Sequence, residues 1–117
     1  MTIHGVYRDY DSLESVYEQV GPGWKSLVEK LIIDLDVLGW DHQLLQIKEK
    51  FGGLRFYIAQ GSDDMWNRVY QAEKESYSIC EDCGKPGSLR DRSWMRTLCD
   101  ECDKKDTFDV DVNRESV

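Results

Sequence analysis

The sequence predicts an α+β fold that ends in a small module built around four cysteines. Apolar residues recur at helical spacing in three segments, one glycine-centred segment alternates with period two, and the cysteines form two Cys-x-x-Cys pairs. We divide the chain into a domain of helices and one hairpin over residues 1–78, a four-cysteine module over 79–105, and an acidic tail over 106–117. The tail is predicted to be poorly ordered, or at most to add a short strand through Phe108, Val110 and Val112.

Two helices are predicted in the first forty residues. Asp11 or Ser12 caps a short amphipathic segment, and the sequence Gly21-Pro22-Gly23 then interrupts the chain before a longer helix. Gly39 is the expected stop of that second helix. Its predicted core face consists of Trp24, Leu27, Val28, Leu31, Ile32, Leu35 and Leu38.

A β-hairpin follows, with Gly52 and Gly53 as the predicted turn residues. The predicted core face is Leu45, Ile47, Phe51, Leu54, Phe56 and Ile58. The opposite face is a basic and aromatic strip and the best candidate for a binding surface: Gln46, Lys48, Lys50, Arg55, Tyr57 and Ala59. The favoured explanation of the strip is still an ordinary solvated face, because antiparallel sheets usually expose one polar face. Glu49 falls on the core side, so it is expected at the sheet margin or beside a cation or backbone donor.

A third helix is predicted from a cap at Ser62 to about Ser78, and it leads directly into the first cysteine. Its predicted inward positions include Met65, Trp66, Val69, Tyr70, Glu73 and Tyr77. No stretch rich in glycine, serine or proline separates this helix from the cysteines. We therefore expect the module to pack against the preceding domain.

Cys80, Cys83, Cys99 and Cys102 carry the strongest chemical signal in the chain. Two Cys-x-x-Cys pairs separated by fifteen residues have the spacing of a tetrahedral thiolate site, for which zinc is the preferred metal. Two disulfides, an iron–sulfur cluster or free thiols are the alternatives. The first residues show no basic start followed by an apolar run, so we expect a reducing, cytoplasmic setting in which disulfides are disfavoured. A zinc ion with four protein ligands has no open position and is expected to be structural.

The order of elements in the module predicts a treble clef. The first pair and Gly84 form a knuckle, two short arms around residues 91–93 form a hairpin, and acidic residues beside the second pair suit the first turn of a helix. The run from Trp94 to Cys99 resembles that of eukaryotic GATA-type fingers. A zinc ribbon, in which a second knuckle replaces the helix, is the alternative.

The charge of the chain argues against the nucleic-acid binding that a resemblance to GATA-type fingers implies. The chain carries a formal charge of −8, and residues 80–105 hold six basic and six acidic side chains. Arg90, Arg92 and Arg96 are the candidate phosphate contacts within the module. Neither lone histidine has a nucleophile motif around it, and the glycine pair lacks the lysine of a phosphate loop, so we predict that the protein is not an enzyme.

Two motifs together resemble a group of small uncharacterised proteins of bacteria and their phages. They are QIKEKFGGLRFY at residues 46–57 and CExCGxxGxLR at residues 80–90, followed by Trp94 and TLCD at residues 97–100. The resemblance covers about residues 20–102. The last ligand position in that group is often histidine, where this chain has Cys102. The resemblance implies a fold and an origin, and it carries no established activity.

The combined prediction is a zinc-stabilised binding or adaptor protein of bacterial or phage origin that acts through a protein partner. One form of this hypothesis is an acidic inhibitor of a host defence or nucleic-acid-handling enzyme, since acidic surfaces imitate nucleic acid. The alternative is a nucleic-acid-binding zinc-finger regulator. A membrane role is not expected, and the oligomeric state is left open.

Overall fold

The computed structural model describes residues 12–91 and 93–106, and it has the α+β architecture that the sequence predicts. The helices and strands follow one another in the predicted order, and the described residues form two small antiparallel hairpin sheets. The elements are α1 (Leu13–Tyr17), α2 (Lys25–Val37), β1 (Leu44–Lys50), β2 (Gly53–Ile58), α3 (Asp63–Glu75), β3 (Ser88–Arg90), β4 (Arg96–Leu98) and a final helix, α4, at residues 100–106. The strand proposed for the tail lies outside the described residues.

The helix boundaries follow the predicted capping residues. Ser12 caps α1 and accepts a hydrogen bond from the Ser15 amide, and Ser62 caps α3 by accepting one from the Met65 amide. Gly39, with φ of 95°, follows α2 in the left-handed conformation that ends many helices. A 3-10 turn at Pro22–Trp24 precedes α2, and another at Ser76–Ser78 follows α3.

The hydrophobic core lies where α2 and α3 meet the buried face of the β1–β2 hairpin. Its most deeply buried side chains include Trp24, Leu31, Leu35, Leu44, Ile47, Leu54 and Phe56. Three predicted core positions are wrong: Leu38 is 40% exposed, Trp66 42% and Tyr70 64%. Leu38 follows the last turn of α2, and the inward stripe of α3 consists instead of Met65, Val69 and Ala72.

The hairpin turn differs from the prediction by one position. Lys50 pairs with Gly53, so Phe51 and Gly52 are the two turn residues, with φ of 55° and 82°. Positive φ at both positions is typical of the tight turns that join antiparallel strands. The pairing is thereby displaced by two residues from the predicted register, and an even displacement keeps the side chains of residues 46–50 and 54–58 on their predicted faces.

Two residues still leave the predicted core face. Phe51 is 63% exposed because it occupies the turn, and Leu45 is 40% exposed because the register shifts between Leu44 and Gln46. Leu44 takes the buried place that was predicted for Leu45. Glu49 accepts a hydrogen bond from the Gly52 amide at 2.7 Å, so the backbone donor expected for this carboxylate is present.

The cysteine module is attached to the rest of the chain by specific buried hydrogen bonds. The Trp24 indole N–H donates to the Ile79 carbonyl at 2.8 Å, and the Gly23 amide donates to the Glu81 carbonyl at 2.8 Å. On the other side, the Thr97 hydroxyl donates to the Gly52 carbonyl at 2.6 Å. A Cβ atom at Gly23 would overlap the Cys80 carbonyl, so glycine is needed where α2 approaches the module.

Candidate metal centre and binding surface

The four cysteines converge on one point in the module. Their Sγ atoms all lie within 4.8 Å of one another, and those of Cys83 and Cys99 are 3.6 Å apart. Tetrahedral zinc with Zn–S bonds of about 2.3 Å separates its sulfur ligands by about 3.8 Å. The donor set and its spacing therefore fit a tetrahedral metal ion, and the prediction that these residues form one cluster is confirmed.

The first pair is positioned by a tight backbone turn. The Cys80 amide donates to the Lys85 carbonyl at 2.8 Å, and the Gly84 amide donates to the Cys80 carbonyl at 2.9 Å. Gly84 has φ of 84°, a conformation that side chains with a Cβ rarely adopt. The turn folds the chain so that both sulfurs face the same side.

The second pair lies at the junction of β4 and α4. The Asp103 amide donates to the Cys99 carbonyl at 2.9 Å, which forms the first turn of α4. The Cys102 amide donates to the Cys99 sulfur at 3.4 Å. Backbone N–H donors of this kind stabilise a thiolate, and the start of a helix favours negative charge.

The pKa values of the thiols depend on burial and on hydrogen bonds within the cluster. Burial opposes ionisation of Cys80, but backbone N–H donors at Cys99 and Cys83 outweigh it and lower the pKa of this thiol to about 7. A hydrogen bond with Cys99, together with burial, raises the pKa of Cys102 to about 12. Four sulfurs this close repel one another once ionised, and a divalent cation relieves that repulsion.

A buried carboxylate connects the two cysteine pairs. Glu81 is 5% exposed, and its carboxylate accepts a hydrogen bond from the Thr97 amide at 2.9 Å while Arg96 lies 3.5 Å away. Burial raises the pKa of the Glu81 carboxyl, whereas the Thr97 donor and the Arg96 charge lower it. This group holds the knuckle against β4, and its place in the interior gives it a structural role.

Two of the arginines predicted as phosphate contacts are engaged with carboxylates. Arg96 lies 2.6 Å from an Asp82 oxygen and 3.2 Å from an Asp106 oxygen. Arg90 donates to the Leu98 carbonyl at 2.9 Å and to Asp100 at 2.9 Å. Arg92 lies outside the described residues. The charge of these two guanidinium groups is therefore largely compensated within the module.

The basic strip of the β1–β2 hairpin has a different environment. Lys48 lies opposite Arg55, and Gln46 lies opposite Tyr57, so the strip forms one face as predicted. Arg55 donates to the Leu54 carbonyl at 3.1 Å and to the Tyr77 hydroxyl at 3.2 Å. Within the part of the chain that the structure describes, Lys48 and Lys50 form no ion pair.

An apolar cleft lies beside this strip, between the turns of the two hairpins. Its volume is about 300 Å³, and its lining residues are Glu49, Lys50, Phe51, Ser93, Trp94 and Met95. Phe51 is 63% exposed and Trp94 is 73% exposed, which is unusual for side chains that gain so much from burial. We name this feature the two-turn cleft.

Sequence reasoning did not identify the two-turn cleft. The sequence pattern places Phe51 in the core and Trp94 in an arm of the second hairpin. The two turns are about forty residues apart in the chain, and the Thr97–Gly52 hydrogen bond holds them together. A pattern that is local in sequence contains no information on this long-range contact.

Comparison with protein-family models, curated proteins and solved structures gives no match to this chain. Among the described residues, no helix combines the length and the apolar character needed to cross a lipid bilayer. The features that bear on function are therefore the metal centre, the two-turn cleft and the charges around them.

Proposed function

We propose that this chain is a non-enzymatic, zinc-stabilised protein-binding module of bacterial or phage origin, and that it acts in the bacterial cytoplasm. The observation that carries the proposal is the two-turn cleft on a chain that also holds the thiol cluster: an exposed tryptophan on one hairpin turn lies beside an exposed phenylalanine on the other. The metal has a structural role in this proposal, and the exposed aromatic residues provide the contact with the partner.

Zinc is the metal that this donor set favours. Four thiolates at tetrahedral spacing match structural zinc, and four protein ligands complete its coordination. The knuckle, the β3–β4 hairpin and α4 follow one another in the treble-clef order, with Cys99 and Cys102 at the start of the helix. This order favours a treble-clef-like module over a zinc ribbon.

Metal analysis of matched variants tests the zinc assignment. The purified, reduced protein is expected to contain one zinc per chain. Cys102→His should retain the metal because imidazole is also a zinc ligand, whereas Cys102→Ala should lose most of it. Elemental analysis that finds no stoichiometric metal in the wild type would refute the structural-zinc proposal.

The binding role is supported by the exposure of Phe51 and Trp94 beside a concave apolar surface. Aromatic residues that fill or flank such pockets supply much of the binding energy at protein interfaces. Lys48 and Lys50, beside the two-turn cleft, form no ion pair within the described residues and are therefore available to a partner. The cations that do pair with carboxylates include Arg68, Lys85, Arg90 and Arg96.

Two tryptophan variants distinguish specific binding at this surface from nonspecific binding through any exposed tryptophan. Trp94→Ala should abolish capture of the partner protein from host lysate, while Trp66→Ala, which removes another exposed tryptophan on α3, should leave it unchanged. Zinc content and circular dichroism establish that both variants are folded. Equal capture by wild type and Trp94→Ala would exclude the two-turn cleft as the binding surface.

The alternative function is nucleic-acid binding through the hairpin strip. The observation in its favour is that Lys48 and Lys50 form no ion pair with any described residue and lie on one face with Tyr57. Against it stand the net charge of −8 and the carboxylate partners of Arg90 and Arg96. A mobility-shift assay with random DNA and RNA at low ionic strength decides this alternative, because the absence of any shift would remove it.

A further inference from the structure

We infer that the partner segment bound at the two-turn cleft is an acidic peptide with one bulky apolar anchor residue. This inference rests on the proposed protein-binding function and specifies its chemistry. It follows from the position of Lys48 and Lys50 beside the cleft, where neither forms an ion pair with a described residue. This position indicates a different partner from the one that the net charge alone would indicate.

The cleft has the dimensions of a side-chain pocket. Its volume of about 300 Å³ is at the lower end of the range of small-molecule sites, about 300–1,000 Å³, and it opens to solvent between the two turns. Phe51, Trp94 and Met95 supply apolar walls, and methionine adapts its shape to different occupants. A single aromatic or branched aliphatic side chain fits such a pocket.

Positive charge borders the cleft on the side of the hairpin. The Lys50 ammonium group lies 5.6 Å from the centre of the Phe51 ring, and Lys48 and Arg55 continue along the same face of β1 and β2. The one carboxylate of the cleft lining, Glu49, already accepts the Gly52 amide. A chain that leaves the pocket along this face would meet lysine and arginine side chains first.

Local charge decides the interaction at contact distance. The Debye length is about 8 Å at physiological ionic strength, so acidic groups elsewhere on the molecule are screened from a ligand on this face. A peptide with a few carboxylates would pair with the strip and experience little of the total charge of −8. A long nucleic acid would extend beyond the strip onto acidic surface, so we favour the peptide.

Fluorescence anisotropy with a set of matched probes tests the inference. The main probe is a short labelled peptide of glutamate, serine and glycine with one central leucine. Three controls replace each glutamate with lysine, replace the leucine with alanine, or substitute an oligothymidylate. We expect the acidic, anchored peptide to bind best and to weaken as salt is added.

Charge and anchor variants of the full zinc-loaded chain complete the test. Lys50→Glu and Trp94→Ala should each weaken binding of the acidic peptide by roughly tenfold or more. Lys30→Glu on the exposed face of α2 and Trp66→Ala should leave the affinity unchanged. All four positions are exposed, so zinc content and circular dichroism should match the wild type.

Several results would overturn the inference. These are tighter binding of the lysine peptide or of the oligothymidylate, equal binding of the peptide without leucine, and no binding of any probe. If one of these results is found while Trp94→Ala still abolishes capture of the partner, the proposed function stands and only the chemical class of the partner is wrong.

Discussion

Gly53 shows how one residue sets the geometry of the binding surface. A Cβ atom at this position would overlap the ring and hydroxyl of Tyr77, so the glycine is needed for close packing in β2. Because Gly53 is used in the strand, the turn is formed by Phe51 and Gly52, and Phe51 adopts φ of 55°. The close contact between Gly53 and Tyr77 thus fits a turn that exposes Phe51.

Gly53→Ala is predicted to destabilise the protein by about 1–3 kcal/mol, since the new methyl group must displace the Tyr77 ring. The free energy of unfolding from urea titration of the zinc-loaded protein measures this cost. In a Tyr77→Ala background the same substitution should cost much less, because the obstructing ring is gone. An equal cost in both backgrounds would contradict the proposed steric cause.

At the scale of elements, α3 and the turn that follows it provide acceptors for backbone amides on the open edge of β2. The Leu54 amide donates to the Ser76 hydroxyl at 2.9 Å, and the Phe56 amide donates to a Glu73 carboxylate oxygen at 3.0 Å. Ser76 is fully buried and in turn donates to the Glu73 carbonyl. Side chains of a helix thus replace a third strand, which protects this edge from pairing with another chain.

Ser76→Ala is predicted to cost about 1–3 kcal/mol of stability, because the buried Leu54 amide loses its acceptor. Hydrogen exchange should show faster exchange at that amide. Ser78→Ala is the matched control: Ser78 also donates to a carbonyl three residues earlier, at 2.9 Å, but it is exposed and accepts no strand amide. A similar loss of stability in both variants would argue that the hydrogen bond from the Leu54 amide to Ser76 is not the cause.

At the scale of the whole molecule, the metal module stabilises the hydrophobic core through hydrogen bonds on two sides. The Trp24 side chain is fully buried in the main core and donates to Ile79, one residue before the first cysteine. Thr97 joins the opposite side of the module to the β1–β2 turn. Loss of the metal should therefore affect α2 and the hairpin as well as the module.

Removal of the metal by a strong chelator is predicted to lower the thermal midpoint of the entire chain by more than about 10 °C, because zinc binding contributes directly to folding free energy. Far-ultraviolet circular dichroism, which is dominated by α2 and α3, measures this change. Addition of zinc should restore the midpoint. If the metal is removed and the helical transition does not move, the module is energetically separate from the core.

The sequence by itself determined the features that depend on local chemistry. The helix caps at Ser12 and Ser62, the stop at Gly39, the hairpin faces apart from Leu45 and Phe51, and the convergence of four cysteines were predictable, since each depends on residue type and short-range spacing.

Only the tertiary structure decided the turn register and the two-turn cleft. Gly53 lies in β2 in close contact with Tyr77, and the turns that carry Phe51 and Trp94 are joined by a hydrogen bond between residues 52 and 97. The same holds for Arg90 and Arg96, whose carboxylate partners a charge count does not reveal. Contacts between distant segments are set by the packing of the whole chain, so a pattern read along the sequence does not contain them.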